Sequence, residues 1–477
     1  MPRWPRIAVV GGGISGLTSA FRVGQAFPEA EVSVFERDRS PGGTAQTDVV
    51  DGYTVDRGPN GFLTNVPDSV ELARALGLES ELQSATDAAK HRFLFLDEAL
   101  QSLPTSPAEF LTTPVLGIAA KARVALEPFA RRRDPTVDET VYAFAKRRLG
   151  TAFADTFITP MVLGITSGDA KSTSLASLFP RMRALEDRHG SLLKGLVAQQ
   201  RQAKRTAASG AVRGGPAGPG GRLTSFRAGG IATLATALAG ALSPRLRLGV
   251  AVSDLSHRGG SFQLGLEDGT VHKADAVVLA TPAFVTARLV HALVPAALAE
   301  LQAIPYAGVR VLGLGYDRAD VPHPLDGFGF LVPPGQGVRI LGCLWTSTLF
   351  PDQAPEGKVL LRVIAGGVHD PGFVDRSDDE ALETVKGDLY RSMGIRAEPE
   401  MVHHIRWPRA IPQYTVGHAE RVKRIEDALA DVPGLLVTGN AYHGIGLNDC
   451  VRDAGRIVAS LSRTFGEKPE KPSTTVG

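Results

Sequence analysis

Apolar positions along the chain fall into short runs set off by glycine-rich turns. Ile7–Val10 is a compact, partly β-branched run, and GLTSAFRVGQAF follows it after GGGIS; together they predict a buried parallel strand, a tight turn and a helix. EVSVFE (Glu31–Glu36) predicts a second strand. RLRLGVAVSDL (Arg245–Leu255) reads as one strand, and DGTVHKADAVVLAT (Asp268–Thr281) as a polar turn leading into another. VRVLGLGYD, GFGFLVP, RILGCLW and KVLLRVIAGG predict an antiparallel or mixed sheet between residues 309 and 367. Residues 104–222 differ: ALEPFARRR, VYAFAKRRLG and MRALEDRHGSLLKGLVAQQRQAKR read as helices. Near the C-terminus GLLVTG, GNAYHGIGLNDC and VRDAGRIVASL repeat the order strand, glycine-rich turn, helix.

The first turn carries specific chemistry. Gly11, Gly13 and Gly16 fill G-x-G-x-x-G, with Gly12, Ile14 and Ser15 between them. The first glycine permits the turn, the second lets amides approach a pyrophosphate, and the third lets helix and strand pack closely. Glu36 ends the second strand at the distance expected of a carboxylate that holds a ribose hydroxyl. Arg37, Gly42, Gly43 and Thr44 follow, and the bare Gly42–Gly43 backbone suits the added contact that a flavin dinucleotide needs.

GGGISGL, E-R-x4-G-G, DRGPNGF (Asp56–Phe62) and GNAYHGIGLNDC together resemble the flavin-containing amine oxidase superfamily. DGFGFLVP, RWPRAIPQYTVGH (Arg406–His418) and YHGIGLNDC resemble its protoporphyrinogen oxidase branch over nearly the whole chain. The resemblance implies a non-covalent FAD. Its pyrophosphate would lie at the first turn. Its isoalloxazine would lie beside the second, at Gly439, Asn440, Gly444, Ile445, Gly446 and Leu447. Gly58, Pro59, Asn60 and Gly61 would also contact it, with Val252 at the adenine and Trp407 as a flavin neighbour. Asp449 is read either as a ribityl or phosphate contact or as a helix N-cap, and Cys450 as a packed thiol. For the substrate, the resemblance implies Arg92 on a propionate, Phe328, Gly329 and Leu331 at the rings, Ile364 in the pocket, Gly164 near the ring, and Asn60 where some relatives carry arginine.

The fold class that follows is α/β and α+β: a discontinuous Rossmann-like FAD-binding domain (1–88, 223–285, 432–466), a mixed-sheet substrate domain (89–103, 286–431) and a helical lobe (104–222). Ala208–Arg222 reads as a low-complexity loop and 467–477 as a flexible tail. The lobe holds 18 Lys+Arg against 9 Asp+Glu; the whole chain nets +2, so the remainder nets 2 − 9 = −7. A basic lobe suits anionic lipid headgroups or a substrate with propionates. Two cysteines make neither a disulfide framework nor a metal site, and no metal is expected. The N-terminal apolar run is too short for a signal peptide and no run suits a spanning helix. The expected location is therefore cytoplasmic, or peripheral on the cytoplasmic membrane.

The activity implied is six-electron oxidation of protoporphyrinogen IX to protoporphyrin IX. Three hydride transfers to flavin N5 would each be followed by reoxidation by oxygen. No acid–base residue is assigned. Coproporphyrinogen III, with four propionates, is the main alternative; only Arg92 stands out as a pocket cation, which favours the two-propionate substrate. An amine oxidase and a porphyrin-delivering flavoprotein remain as further readings. Nucleic acid is not expected as a partner; a second copy of the chain and the next enzyme of heme synthesis are the protein partners considered.

Overall fold

The computed structural model describes residues 5–208 and 221–466. The 467–477 tail and all but the ends of the 208–222 stretch lie outside the described residues. Five parallel strands form the central sheet, in the order Leu246–Leu248, Glu31–Glu36, Arg6–Val10, Ala276–Leu279, Leu435–Val437. Ile7–Val10 and Ala276–Leu279 are buried along their length, which explains their unbroken apolar sequence. One face packs on Ile14–Ala26, Ala232–Ala241 and Leu447–Phe465. The other packs on an antiparallel layer, Val252–Arg258 with Ser261–Leu266 and Val271–Ala274, and on Ala283–Val290, Pro295–Gln302 and His418–Ala430. Within 286–431, these last helices therefore share the core of the five-stranded sheet.

Two expected strands are each split. RLRLGVAVSDL turns at Gly249 (φ +69°), so Leu246–Leu248 joins the parallel sheet and Val252–Arg258 the antiparallel layer. DGTVHKADAVVLAT breaks at Asp275 into Val271–Ala274 and Ala276–Leu279; the Asp275 carboxylate accepts from the Arg6 amide at 2.8 Å and its guanidinium at 2.7 Å.

The second sheet has seven strands, ordered Met401–Pro412, Tyr306–Asp317, Lys358–Gly366, Ile340–Trp345, Gly329–Leu331, Phe93–Leu96, Ala99–Ser102. Only Gly329–Leu331 with Phe93–Leu96 is parallel. The hairpin from residues 93–102 thus closes the edge remote from Met401–Pro412.

The helical lobe has a charged centre. Arg148 and Glu127 are fully buried and paired, and Arg147 bridges Glu139 (2.8 Å) and Glu186 (2.8 Å). The Glu127 carboxylate also accepts from the Ser191 hydroxyl (2.6 Å) and the amides of Leu192 (2.9 Å) and Leu193 (3.2 Å). It thereby caps the helix Leu192–Ala208, where an anion is favoured. Several of the basic residues counted in the sequence turn inward in this way. Two expected helices are also corrected. ALEPFARRR is helical only to Ala125, after which Pro128 sits in the short turn Glu127–Phe129. The long run after Met182 breaks at Gly190 (φ +65°), between Pro180–His189 and Leu192–Ala208.

Candidate active site

A cavity of about 1620 Å³ runs from the C-terminal ends of Arg6–Val10 and Glu31–Glu36 to the seven-stranded sheet. Single small-molecule sites hold roughly 300–1,000 Å³, so there is room for a cofactor and a second ligand. At its dinucleotide end, Gly11 has φ +111°, and a Cβ on Gly16 would overlap the Gly11 carbonyl. The helix starts at Ile14 with no side-chain cap, leaving the amides of Ile14, Ser15 and Gly16 without intrahelical acceptors. Gly13, Ile14 and Ser15 line the cavity. Gly12 faces away from it: its amide donates to Glu36 Oε2 at 2.5 Å, and its carbonyl accepts from the Gly42 amide at 2.8 Å. Glu36 Oε1 accepts from the Asp38 amide at 2.8 Å, so the backbone orients the carboxylate from both sides. Gly42 and Gly43 lie against the first turn, and with Arg37 and Thr44 they continue the wall. Val252 lies on the wall beside Phe35 and Glu267.

The second turn lines the same cavity through Gly439, Asn440, Ile445 and Leu447. Gly439 and Gly444 have φ near +125°. Gly446 is the N-cap of Leu447–Phe465. The N-cap reading of Asp449 is therefore corrected: it stands three residues later, and its Oδ2 accepts from the Gly446 amide at 3.3 Å while Oδ1 pairs with Arg452. Gly446, Asp449, Gly16 and Gly61 are not on the wall; Gly61 packs against the Thr224 carbonyl.

Gly58, Pro59 and Asn60 are on the wall. Arg362, buried in the strand Lys358–Gly366, donates from Nε to the Asp56 carbonyl (3.0 Å) and from Nη2 to the Gly58 carbonyl (2.5 Å), fixing this loop. Trp407 donates from Nε1 to the Arg57 carbonyl at 2.8 Å. The Asn60 amide nitrogen is a buried donor without a hydrogen-bond partner among the described residues. An uncapped helix N-terminus, bare glycine backbone, an oriented carboxylate and this donor fit a flavin dinucleotide.

The far end is apolar. Phe328, Gly329, Leu331 and Ile364 come from the sheet, and Gly164 from the lobe. A Cβ on Gly164 would lie 2.7 Å from a Leu331 methyl, so lobe and sheet meet there. Arg92 stacks over Phe328, 4.9 Å from the ring centroid. Arg92 remains an exposed residue at the rim, and partial desolvation by the adjoining walls lowers its pKa from the ordinary guanidinium value; no carboxylate among the described residues opposes this. The guanidinium stays charged at physiological pH. Burial pushes the Tyr306 phenol up to about 12 and the Cys450 thiol up to about 11, so both wall groups stay protonated at neutral pH.

Some wall residues have no counterpart in the sequence reading. Phe153 and Phe157 stack at 4.9 Å across the π-helical turn Ala154–Ile158 and, with Phe110, face the apolar end. Arg362 left a usable signal, a lone charge inside the apolar run KVLLRVIAGG. Arg57, Arg288 and Arg409 also line the cavity.

The family model for flavin containing amine oxidoreductase matches residues 14–461. The chain belongs to that family. It is an FAD-dependent oxidoreductase, and its two glycine-rich turns line one cavity. It is similar to coproporphyrinogen III oxidase of Bacillus subtilis, 32% identical over 96% of this chain and 98% of that one. Protoporphyrinogen oxidase 2 of Arabidopsis thaliana is 30% identical over 98% and 96%. Among solved structures, a provisional protoporphyrinogen oxidase from Exiguobacterium sp. 255-15 superposes with a TM-score of 0.81 at 28% identity, covering 96% of this chain and 99% of that one. Reduced UDP-galactopyranose mutase shares the fold, with a TM-score of 0.73 at 15% identity over 98% and 96% of the two chains.

Proposed function

We propose that this protein oxidises protoporphyrinogen IX to protoporphyrin IX, with oxygen as the final acceptor. The observation that carries the reading is Arg92, an unopposed guanidinium at the rim of an apolar compartment. Such a compartment suits a macrocycle that is apolar across its faces and carboxylated at one edge. The names of the similar proteins support the same substrate class. Arg92 would hold a propionate; Phe328, Leu331 and Ile364 would orient the rings and exclude water. Gly11–Ser15, Glu36 and the 439–447 turn would hold FAD, which when bound accepts the hydride. Macrocycle oxidation releases six electrons, enough to reduce three oxygen molecules to hydrogen peroxide. No side chain on this wall needs to hold a transferred proton. On this reading 1–88, 223–285 and 432–466 serve the cofactor, and 89–103 with much of 286–431 the substrate.

A second reading, coproporphyrinogen III, gains support from Arg57, Arg288 and Arg409, because the wall carries more cations than Arg92 alone. Arg409, however, lies on the strand Met401–Pro412, five strand steps from that of Phe93. At ~4.8 Å per step this is roughly 24 Å across the sheet, so Arg409 could meet only a propionate on the side of the macrocycle remote from Arg92.

Replacing Arg92 by Ala removes a charge-assisted contact worth ~1.5–3 kcal/mol, so KM should rise ~10- to 100-fold while FAD content is unchanged. Unchanged KM would reject Arg92 as the carboxylate anchor.

We further propose that the lobe contacts a lipid surface through apolar groups. Ile118 is 86% exposed, Phe129 84% and Leu111 69%. No helix among the described residues is long and apolar enough to cross a membrane. Because these contact groups are apolar, co-sedimentation with phospholipid vesicles should persist at high salt and fall on I118E/F129E substitution. Binding abolished by salt alone would favour a purely electrostatic contact.

A further inference from the structure

IPQYTVGH is the motif whose chemistry the site leaves unexplained. In the structure its side chains reach into different parts of the molecule. The Gln413 amide nitrogen donates to the Thr166 carbonyl at 2.9 Å, in the lobe segment that also carries Gly164. The next side chain, Tyr414, reaches the C-terminal glycine-rich turn instead. Its hydroxyl donates to the Asn440 carbonyl at 2.7 Å and accepts from the Gly444 amide at 2.8 Å. The ring is buried and stacks on His418, with centroids 3.9 Å apart and planes 16° from parallel. Burial raises the Tyr414 pKa well above the ordinary phenol value and lowers His418 to about 4. Both rings are therefore neutral at physiological pH, and the phenol keeps the proton that it donates.

We infer that Tyr414 is a positioning residue for the cofactor: its hydroxyl closes the 440–444 segment into the shape that faces FAD. The turn needs such a clasp. Gly439 and Gly444 both have positive φ, and glycine backbone loses the most conformational freedom on ordering. Gly439 and Asn440 are on the cavity wall, so a loose turn would have to be ordered at the expense of cofactor affinity. One phenol satisfies a carbonyl and an amide four residues apart, and it is itself held because its carbonyl accepts from the Ser174 amide at 2.8 Å. The inference rests on FAD binding alone and does not depend on which substrate is oxidised.

The test compares two neighbouring substitutions in the full-length protein, reading FAD dissociation by flavin fluorescence and apoprotein melting by circular dichroism. Tyr414→Phe should weaken FAD binding at least tenfold and blur the vibronic structure of the bound-flavin absorption band. Gln413→Ala, which removes hydrogen bonds of similar number on the lobe side, should lower the melting temperature but leave the FAD dissociation constant within twofold. FAD affinity within twofold of the unsubstituted protein in Tyr414→Phe would overturn the inference. If that variant does not fold, amide exchange at Gly444 in the unsubstituted apoprotein decides. Strong protection before FAD is added is expected; exchange as fast as in an open loop would contradict it.

Discussion

Gly13→Val should yield a folded, colourless protein. Gly13 precedes the first helical residue with an ordinary extended backbone (φ −72°), which valine can adopt. The nearest atom to a Cβ built there is Gly43 Cα, at 3.9 Å, so no protein group obstructs the Cβ. What it fills is the cavity between the uncapped helix N-terminus and the Gly42–Gly43 turn. Overpacking costs ~1–3 kcal/mol even where neighbours relax, and here one neighbour is a rigid cofactor. Loss of FAD affinity should therefore reach ~100-fold or more. Gly16→Val provides the contrast. Its side chain would collide with the Gly11 carbonyl, so it should impair folding as well as cofactor binding. Flavin content after gel filtration, read beside far-ultraviolet circular dichroism, separates the two effects. A yellow Gly13→Val protein would contradict the cofactor site.

The second large effect is expected at Glu127. Removing it by Glu127→Ala leaves the buried Arg148 guanidinium with only Glu186, at 3.4 Å and shared with Arg147, and uncaps Leu192–Ala208. Breaking a buried pair costs up to ~3–5 kcal/mol when the remaining charge has no other partner; Glu186 keeps the cost here toward the lower end of that range. Chemical denaturation should show the helical lobe melting early, before the two sheets. The pH dependence has a defined sign. Burial alone would raise the Glu127 pKa, but the Ser191 hydroxyl, the Leu192 and Leu193 amides and Arg148 outweigh it and hold the carboxyl below its ordinary value. Its contribution is therefore present at neutral pH and is lost on acidification below the usual carboxylate range. Glu127→Ala should flatten that acid limb; an unchanged limb would mean that another carboxylate sets it.

These two residues also mark where the chain was readable. Gly13 belongs to a pattern of local spacing, in which strand, glycines, helix and Glu36 each constrain the next. That spacing is enough to imply a pyrophosphate site before any tertiary contact is known. The 439–447 turn was legible for the same reason. Glu127 was not: its partners Arg148, Ser191 and Leu192 are far along the chain, and ALEPFARRR read as continuous helix hides the turn that buries it. Phe153 and Phe157 were missed because their i, i+4 spacing gives them a common face without showing what that face meets. RLRLGVAVSDL misled because its apolar alternation continues across Gly249, while the backbone there turns from one sheet into another. Tyr414 stands in a motif that was recognised, but its role depends on contacts with Asn440 and Gly444, which only the fold brings near.

The most direct test of the central claim is porphyrin fluorescence from the purified yellow protein in air, with protoporphyrinogen IX and coproporphyrinogen III offered in parallel and peroxide measured alongside. The account predicts porphyrin formation well above the no-enzyme rate, faster from protoporphyrinogen, with about three peroxides per porphyrin as the six-electron stoichiometry requires. Faster reaction of coproporphyrinogen would transfer the assignment to the second reading with the site intact. No acceleration of either porphyrinogen by an FAD-loaded protein would contradict the account.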